Sequence, residues 1–141
     1  MAATPHRTTN YAASLRLIMR QITRDATQAW LNNKSWRRDN TRVRRVTEDH
    51  CVVELHGHPI AWWTKTGVRT LHTFTLAGYQ TRTTCERVNG LMREAGISAR
   101  IYQRDFQMYI NHLGKTLAFG PDAKLVFFTD TDKCLEELEI V

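Results

Sequence analysis

The 141-residue chain has no apolar run long enough to cross a bilayer. Its longest, Ile60 to Trp63 and Leu125 to Phe128, are strand-sized, against the roughly 18–20 residues a spanning helix needs. No apolar h-region follows Met1, so a secretory signal is not expected. Arg7, Arg16, Arg20 and Arg24 without an acid would suit a mitochondrial presequence, but the same amphipathic pattern suits an ordinary docking helix, and that reading is preferred. Cysteine is scarce: Cys51, Cys85 and Cys134 lie far apart with no CxxC pair, which argues for reduced thiols in a cytosol.

Catalytic signatures are missing as well. There is no GxSxG, no Gly-rich phosphate loop and no HExxH. Glu48 and Asp49 are adjacent, and a strand would send them to opposite faces. His56 and His58 would ligate a metal, with Cys51 or His72, only if they shared a strand face; Gly57 and Pro59 argue for a turn that points the rings apart. His72, on an apolar strand face, reads as a hydrogen-bonded core histidine. No enzyme, cofactor or metal site is expected.

What is present is charge, unevenly spread. Residues 1–69 hold 12 Lys/Arg against 5 Asp/Glu, whereas residues 130–141 hold 5 acids and Lys133. The densest stretch, Lys34 to Arg45, interleaves Lys34, Arg37, Arg38, Arg42, Arg44 and Arg45 with Trp36. Lys65 and Arg69 add cations beside Trp62 and Trp63, of which one must face the core if that segment is a strand. Arginine pairs with phosphate in bidentate fashion and aromatic rings stack bases, so these residues form a candidate surface for single-stranded DNA or RNA.

The periodicity predicts one α+β domain over 1–141. A helix over 10–33 carries Tyr11, Leu15, Ile18, Ile22, Ala26, Ala29 and Trp30 on one stripe, capped by Thr9 or Asn10 and ended by Asn32-Asn33. A loop to about Asn40 precedes the α+β core, 41–129. Strands are predicted from about Thr41 and at 50–56, 59–65 and 68–76, then at 99–104, 106–111, 115–119 and 125–129. Between the two groups, Thr83-Thr84-Cys85-Glu86 has the capping-box form and Gly96-Ile97 a Schellman ending. On that helix Cys85, Val88, Leu91, Met92 and Ala95 form the apolar stripe, with Arg87, Asn89 and Arg93 on the polar side. The expected order is α-β(3–4)-α-β(3–4), antiparallel twisted sheets with the helices on one face. Residues 1–9 read as flexible, and the acidic tail 130–141 is open to three readings: it competes for the basic surface, it keeps the chain soluble, or it forms a short amphipathic helix that docks on a partner or a second subunit.

The centre of the chain resembles a kind of small tailed-phage protein. The residues that carry the resemblance are Val53-Glu54-Leu55-His56-Gly57 with Ile60-Ala61, then Leu76-Ala77-Gly78-Tyr79, Thr81-Arg82-Thr83-Thr84, Arg87-Val88-Asn89 and Ile101-Tyr102-Gln103. In those proteins an HG turn joins two strands, and a third leads through G(W/Y)xTxTTxxRxN into a helix. The resemblance spans about residues 50–110. It leaves out the N-terminal helix, the basic segment and the tail. It implies a phage protein made in a bacterial cytoplasm, with no assigned activity.

Arg82, Thr83, Thr84 and Arg87 have two readings: a helix cap braced by Arg87 and Asn89 against the preceding loop, or an anion site at the helix N-terminus. The cap accounts for most of these residues without a ligand. The function expected is binding, to nucleic acid first; the alternative is a module that binds and blocks a host enzyme or defence component. A homo-oligomer is compatible with either.

Overall fold

A computed structural model describes residues 17–18, 20–130 and 135–141. Helix α1 covers 20–31, with 17–18 also helical. It is followed by β1 (Trp36–Arg38), β2 (Thr41–Thr47), β3 (His50–Leu55), β4 (His58–Thr66) and β5 (Arg69–Thr75). Then come α2 (Arg82–Glu94), β6 (Ala99–Arg104), β7 (Gln107–His112), β8 (Lys115–Phe119), β9 (Lys124–Asp130) and β10 (Leu135–Ile140). The α+β expectation holds, with five strands on each side of α2. The strands make a seven-stranded sheet, β1-β2-β3-β4-β5-β9-β10, and a three-stranded sheet, β6-β7-β8. Every pairing is antiparallel.

Two strands depart from the sequence reading. Where a loop to Asn40 is predicted, Asp39 adopts a left-handed conformation (φ 52°) and turns β1 back onto β2. The acidic tail, a helix in the docking reading, is the edge strand β10 paired to β9. Its apolar residues fit either period. Pairing with β9 selects the strand, which turns Leu138 and Ile140 onto the core and leaves Glu137 and Glu139 exposed. The HG turn behaves as expected: His56 (φ 52°) and Gly57 (φ 80°) form a two-residue hairpin loop between Leu55 and His58.

Strand alternation gives the large sheet one buried face. Val43, Val53, Ala61, Phe74 and Leu125 lie in one cross-strand row; Cys51, Trp63, His72 and Phe127 lie in the next. Except for half-buried His72, all belong to the core together with Trp30 of α1, Leu91 and Met92 of α2, and Met108 and Ile110 of β7. Trp63 is thus the inward member of its pair. Its Nε1 donates to the Trp30 carbonyl at 2.8 Å, while Trp30 Nε1 donates to the Cys51 carbonyl at 3.0 Å. This exchange fastens the end of α1 to the sheet with both indole N–H groups satisfied.

The α1 stripe is shifted from its predicted line. Ile22, Thr23, Ala26, Thr27 and Trp30 are buried, whereas Ile18 is 46% exposed; Tyr11 and Leu15, with the proposed caps, fall outside the described residues. The helix ends as expected at Asn33 (φ 55°), with Lys34 N–H bonded to the Ala29 carbonyl. Thr23 is inward because α2 crosses α1 there: a Cβ on Gly90 would overlap the Thr23 methyl, so only glycine permits this approach. His72 also departs from expectation. Its Nδ1 is buried with no hydrogen-bond partner among the described residues, and burial pulls its pKa down to about 4.

Candidate nucleic-acid interface

The motif leading into α2 resolves into four structural duties. The N-cap is Thr81, not Thr83: its hydroxyl accepts from Thr84 N–H at 3.2 Å and bonds the Thr84 hydroxyl at 2.8 Å. Glu86 is therefore not the capping-box partner; it accepts from Arg82 four residues earlier. Arg87 lies on the buried side of the helix, 3% exposed, where it donates to the Thr23 hydroxyl of α1. Asn89 binds the strand that follows, not the loop that precedes: its Oδ1 accepts from Ile101 N–H (2.7 Å) and its Nδ2 donates to the Ile101 carbonyl (2.9 Å). At the other end, Gly96 and Ile97 bond the carbonyls of Arg93 and Met92, completing the expected Schellman motif. Thr84 is consumed in the cap, and Thr83 is only half-buried beside it.

Arg82 and Arg87 nonetheless belong to a larger feature. Between α1, α2 and the three-stranded sheet runs a cleft of about 1040 Å³. Arg20, Arg82, Arg87, Arg93 and Arg100 line it, with Glu86 the one lining acid among the described residues. Burial pulls the Arg87 pKa down, Glu86 partly opposing, but an arginine stays charged. At the floor His112 Nε2 lies 2.9 Å from Glu136 of β10, which also accepts from Ser98 N–H. That pairing occupies the neighbouring acid and ties the small sheet to the large one.

Arg100 leads from the cleft to an exposed sheet face. Along β6, Ile101 points into the core while Arg100, Tyr102 and Arg104 point outward. Tyr109 is the cross-strand partner of Tyr102, and their rings stack at 5.5 Å and 22°. Asn111, paired with Arg100, lines the cleft too. At the hairpin tip Phe106 is 92% exposed in a left-handed conformation (φ 64°). The result is one surface of arginines running into half-exposed aromatic rings.

The basic segment singled out in sequence is not brought together in the same way. Alternation splits it: Arg37, Arg42 and Arg44 lie on the outer face of the large sheet, while Trp36, paired with Val43, packs against the core. Arg38 and Arg45 fall on the helix side and Lys34 in the α1–β1 loop. Arg44 is bonded to Glu54 at 3.1 Å. Lys65 and Arg69 flank the β4–β5 hairpin, well along the sheet from this cluster. Trp36 therefore lies on the opposite face of the sheet from Arg37, Arg42 and Arg44. The surface that sequence reasoning missed had a signal, the outward R-x-Y-x-R of residues 100–104, hidden because its cations come from three separate elements.

His56 and His58 turn apart, His56 toward Asn40 and His58 onto the Tyr79 ring. Among the described residues no three His, Cys, Asp or Glu side chains gather as metal ligands. No described helix is long and apolar enough to cross a membrane.

No curated protein and no solved structure shows a significant match to the chain. The model of the Kyanoviridae Gp96 protein family, a phage family, matches residues 19–131, a span that takes in the basic segment, α2, both sheets as far as β9 and the whole arginine–tyrosine surface. The chain belongs to the Kyanoviridae Gp96 protein family of tailed phages.

Proposed function

We propose that this phage protein binds single-stranded nucleic acid along the arginine cleft and the tyrosine face of the small sheet. The observation that carries the reading is the juxtaposition at Arg100. There a cleft lined by five arginines and one acid opens beside the stacked Tyr102–Tyr109 pair. Guanidinium groups hold phosphates in a fixed fork, and each base stacked on an exposed ring contributes about 1–3 kcal/mol. A cleft that tracks the backbone beside rings that accept unstacked bases suits a single strand. A rigid duplex would expose no base faces to the tyrosines.

The test is a fluorescence-anisotropy titration with a labelled 12-nucleotide single strand, repeated over a range of salt concentrations. Binding should weaken steeply with salt, as counterions cease to be released. The variant Arg100→Ala/Tyr102→Ala/Arg104→Ala should lose most of the affinity, and Phe106→Ala a smaller part. Wild-type affinity in the triple variant, or no binding by the wild type at 150 mM salt, would reject the reading.

A further inference from the structure

The outer face of the seven-stranded sheet has no part in the site above, and its composition is unusual for solvent. Val52, Trp62, Thr73 and Val126 are cross-strand neighbours in one row, flanked by Arg44 on β2 and Glu139 on β10. The next row holds His50, Thr64, Leu71 and Phe128, with Glu137 at the β10 side. Val52 is only 5% exposed, yet neither it nor Trp62, Leu71, Val126 or Phe128 packs against the core. Both helices and the small sheet lie on the other side, so among the described residues no second layer packs on this face; Val52 and Thr73 are shielded within the sheet, and Trp62, Leu71, Val126 and Phe128 stay half-buried.

We propose that a second copy of this chain docks on the outer face, with the basic β2 edge of one copy over the acidic β10 edge of the other. The charge pattern selects this occupant. A two-fold axis parallel to the strands, between β4 and β5, exchanges β2 with β10, β3 with β9 and β4 with β5 in the observed strand order. It lays Arg44 over Glu139, Val52 over Val126 and Trp62 beside Thr73. In the neighbouring row, Glu54 meets Lys124, since these occupy the same level on β3 and β9. Opposite charges meet at both edges and apolar residues in the middle, the self-complementarity an isologous interface requires.

Other occupants fit one edge only. A polyanion would be repelled by Glu137 and Glu139. Residues 1–16, with Arg7 and Arg16 and no acid, would meet like charge at β2. The dimensions are adequate as well: the six strands the axis pairs, each ~4.8 Å wide and about six residues long, give a face of roughly 29 by 20 Å. That is on the order of 600 Å² in projection, comparable with the ~800 Å² each partner contributes to a standard interface. Two such sheets would stack about 10 Å apart as an aligned sandwich.

Sedimentation equilibrium of the nuclease-treated full chain between 1 and 100 µM is the test. The wild type should be a dimer, and Trp62→Glu should weaken it at least tenfold. The reversals Arg42→Glu/Arg44→Glu and Glu137→Arg/Glu139→Arg should each be monomeric alone, because like charges then face each other. An equimolar mixture of the two should form a heterodimer, which also shows that both variants are folded. A monomeric wild type, a dimer indifferent to Trp62→Glu, or a mixture that stays monomeric overturns the proposal. So does a monomer that dimerises once residues 1–16 are removed, since that segment would then be the occupant.

Discussion

The two sheets differ in what they turn away from the core. The large sheet presents an apolar centre between edges of opposite sign, whereas the small sheet presents stacked tyrosines beside Arg100 and Arg104. Both arise from the same alternation of inward and outward residues along a strand. What separates them is the company each outward residue keeps across the strands: Trp62 sits among Val52, Thr73 and Val126, and Tyr102 among Tyr109, Arg100 and Arg104. A cationic neighbourhood suits an aromatic ring to anions, while an apolar, charge-balanced one suits it to another protein surface, and the two proposals rest on that contrast.

The largest effect that would break this comparison is on nucleic-acid binding. Replacing Arg93, Arg100 and Arg104 by Ala should lower affinity for a single strand about 100-fold, or about 2.7 kcal/mol. Replacing Arg37, Arg42 and Arg44 should change it less than threefold. Equal losses from both triples, measured by anisotropy at one salt concentration, would erase the distinction between the faces.

Asn89→Ala sharpens the comparison from the inside. It removes both hydrogen bonds to Ile101 and leaves a half-buried amide and carbonyl of β6 unpaired, at a cost of about 2–3 kcal/mol. Urea denaturation would measure that loss. Because Asn89 positions only the small sheet, the variant should lose nucleic-acid affinity at temperatures where its self-association is unchanged.

Histidine 72 probes the inner side of the large sheet. Its folded pKa of about 4 lies below the ordinary 6.5 because burial disfavours the imidazolium. The unfolded chain therefore takes up the proton first as pH falls. The stability held above pH 6.5 is lost progressively down to about pH 4, some 2 kcal/mol of it between pH 7 and pH 5. Denaturant midpoints across that range should fall less steeply in His72→Gln. An identical pH slope in the variant would mean another group carries the effect.

The smallest effect expected is at the α2 cap. Thr81→Ala removes the acceptor for Thr84 N–H and should cost about 1 kcal/mol, whereas Thr83→Ala should cost less, by differential scanning calorimetry. The reverse ranking would restore the capping box at Thr83.

Legibility in the sequence followed locality. Strands β2 to β9, the HG hairpin and the glycine end of α2 depend on residues within a few positions of each other, and lie within a residue or two of where periodicity and turn chemistry put them, except that Phe106, expected to open a strand, sits at the β6–β7 hairpin tip. The exceptions also have causes. Three-residue β1 is too short to show a period, and β10 carries a pattern that suits either helix or strand until β9 is beside it. Arg87 looked solvated because it is charged and falls off the Cys85–Val88–Leu91–Met92 stripe; the Thr23 hydroxyl that receives it is 64 residues away. The candidate site was the least legible part, since Arg20, Arg82, Arg93 and Arg100 come from both helices and β6.

The lack of an apolar run long enough for a spanning helix, the lack of the GxSxG, P-loop and HExxH motifs, the excess of cations and the α+β pattern were determined by the sequence by itself, because composition and short-range spacing suffice for each. Only the tertiary structure decided which cations lie together. Alternation dispersed the contiguous run Lys34–Arg45 over two faces of one sheet, while the packing of α1 and α2 against β6 gathered distant arginines into one cleft.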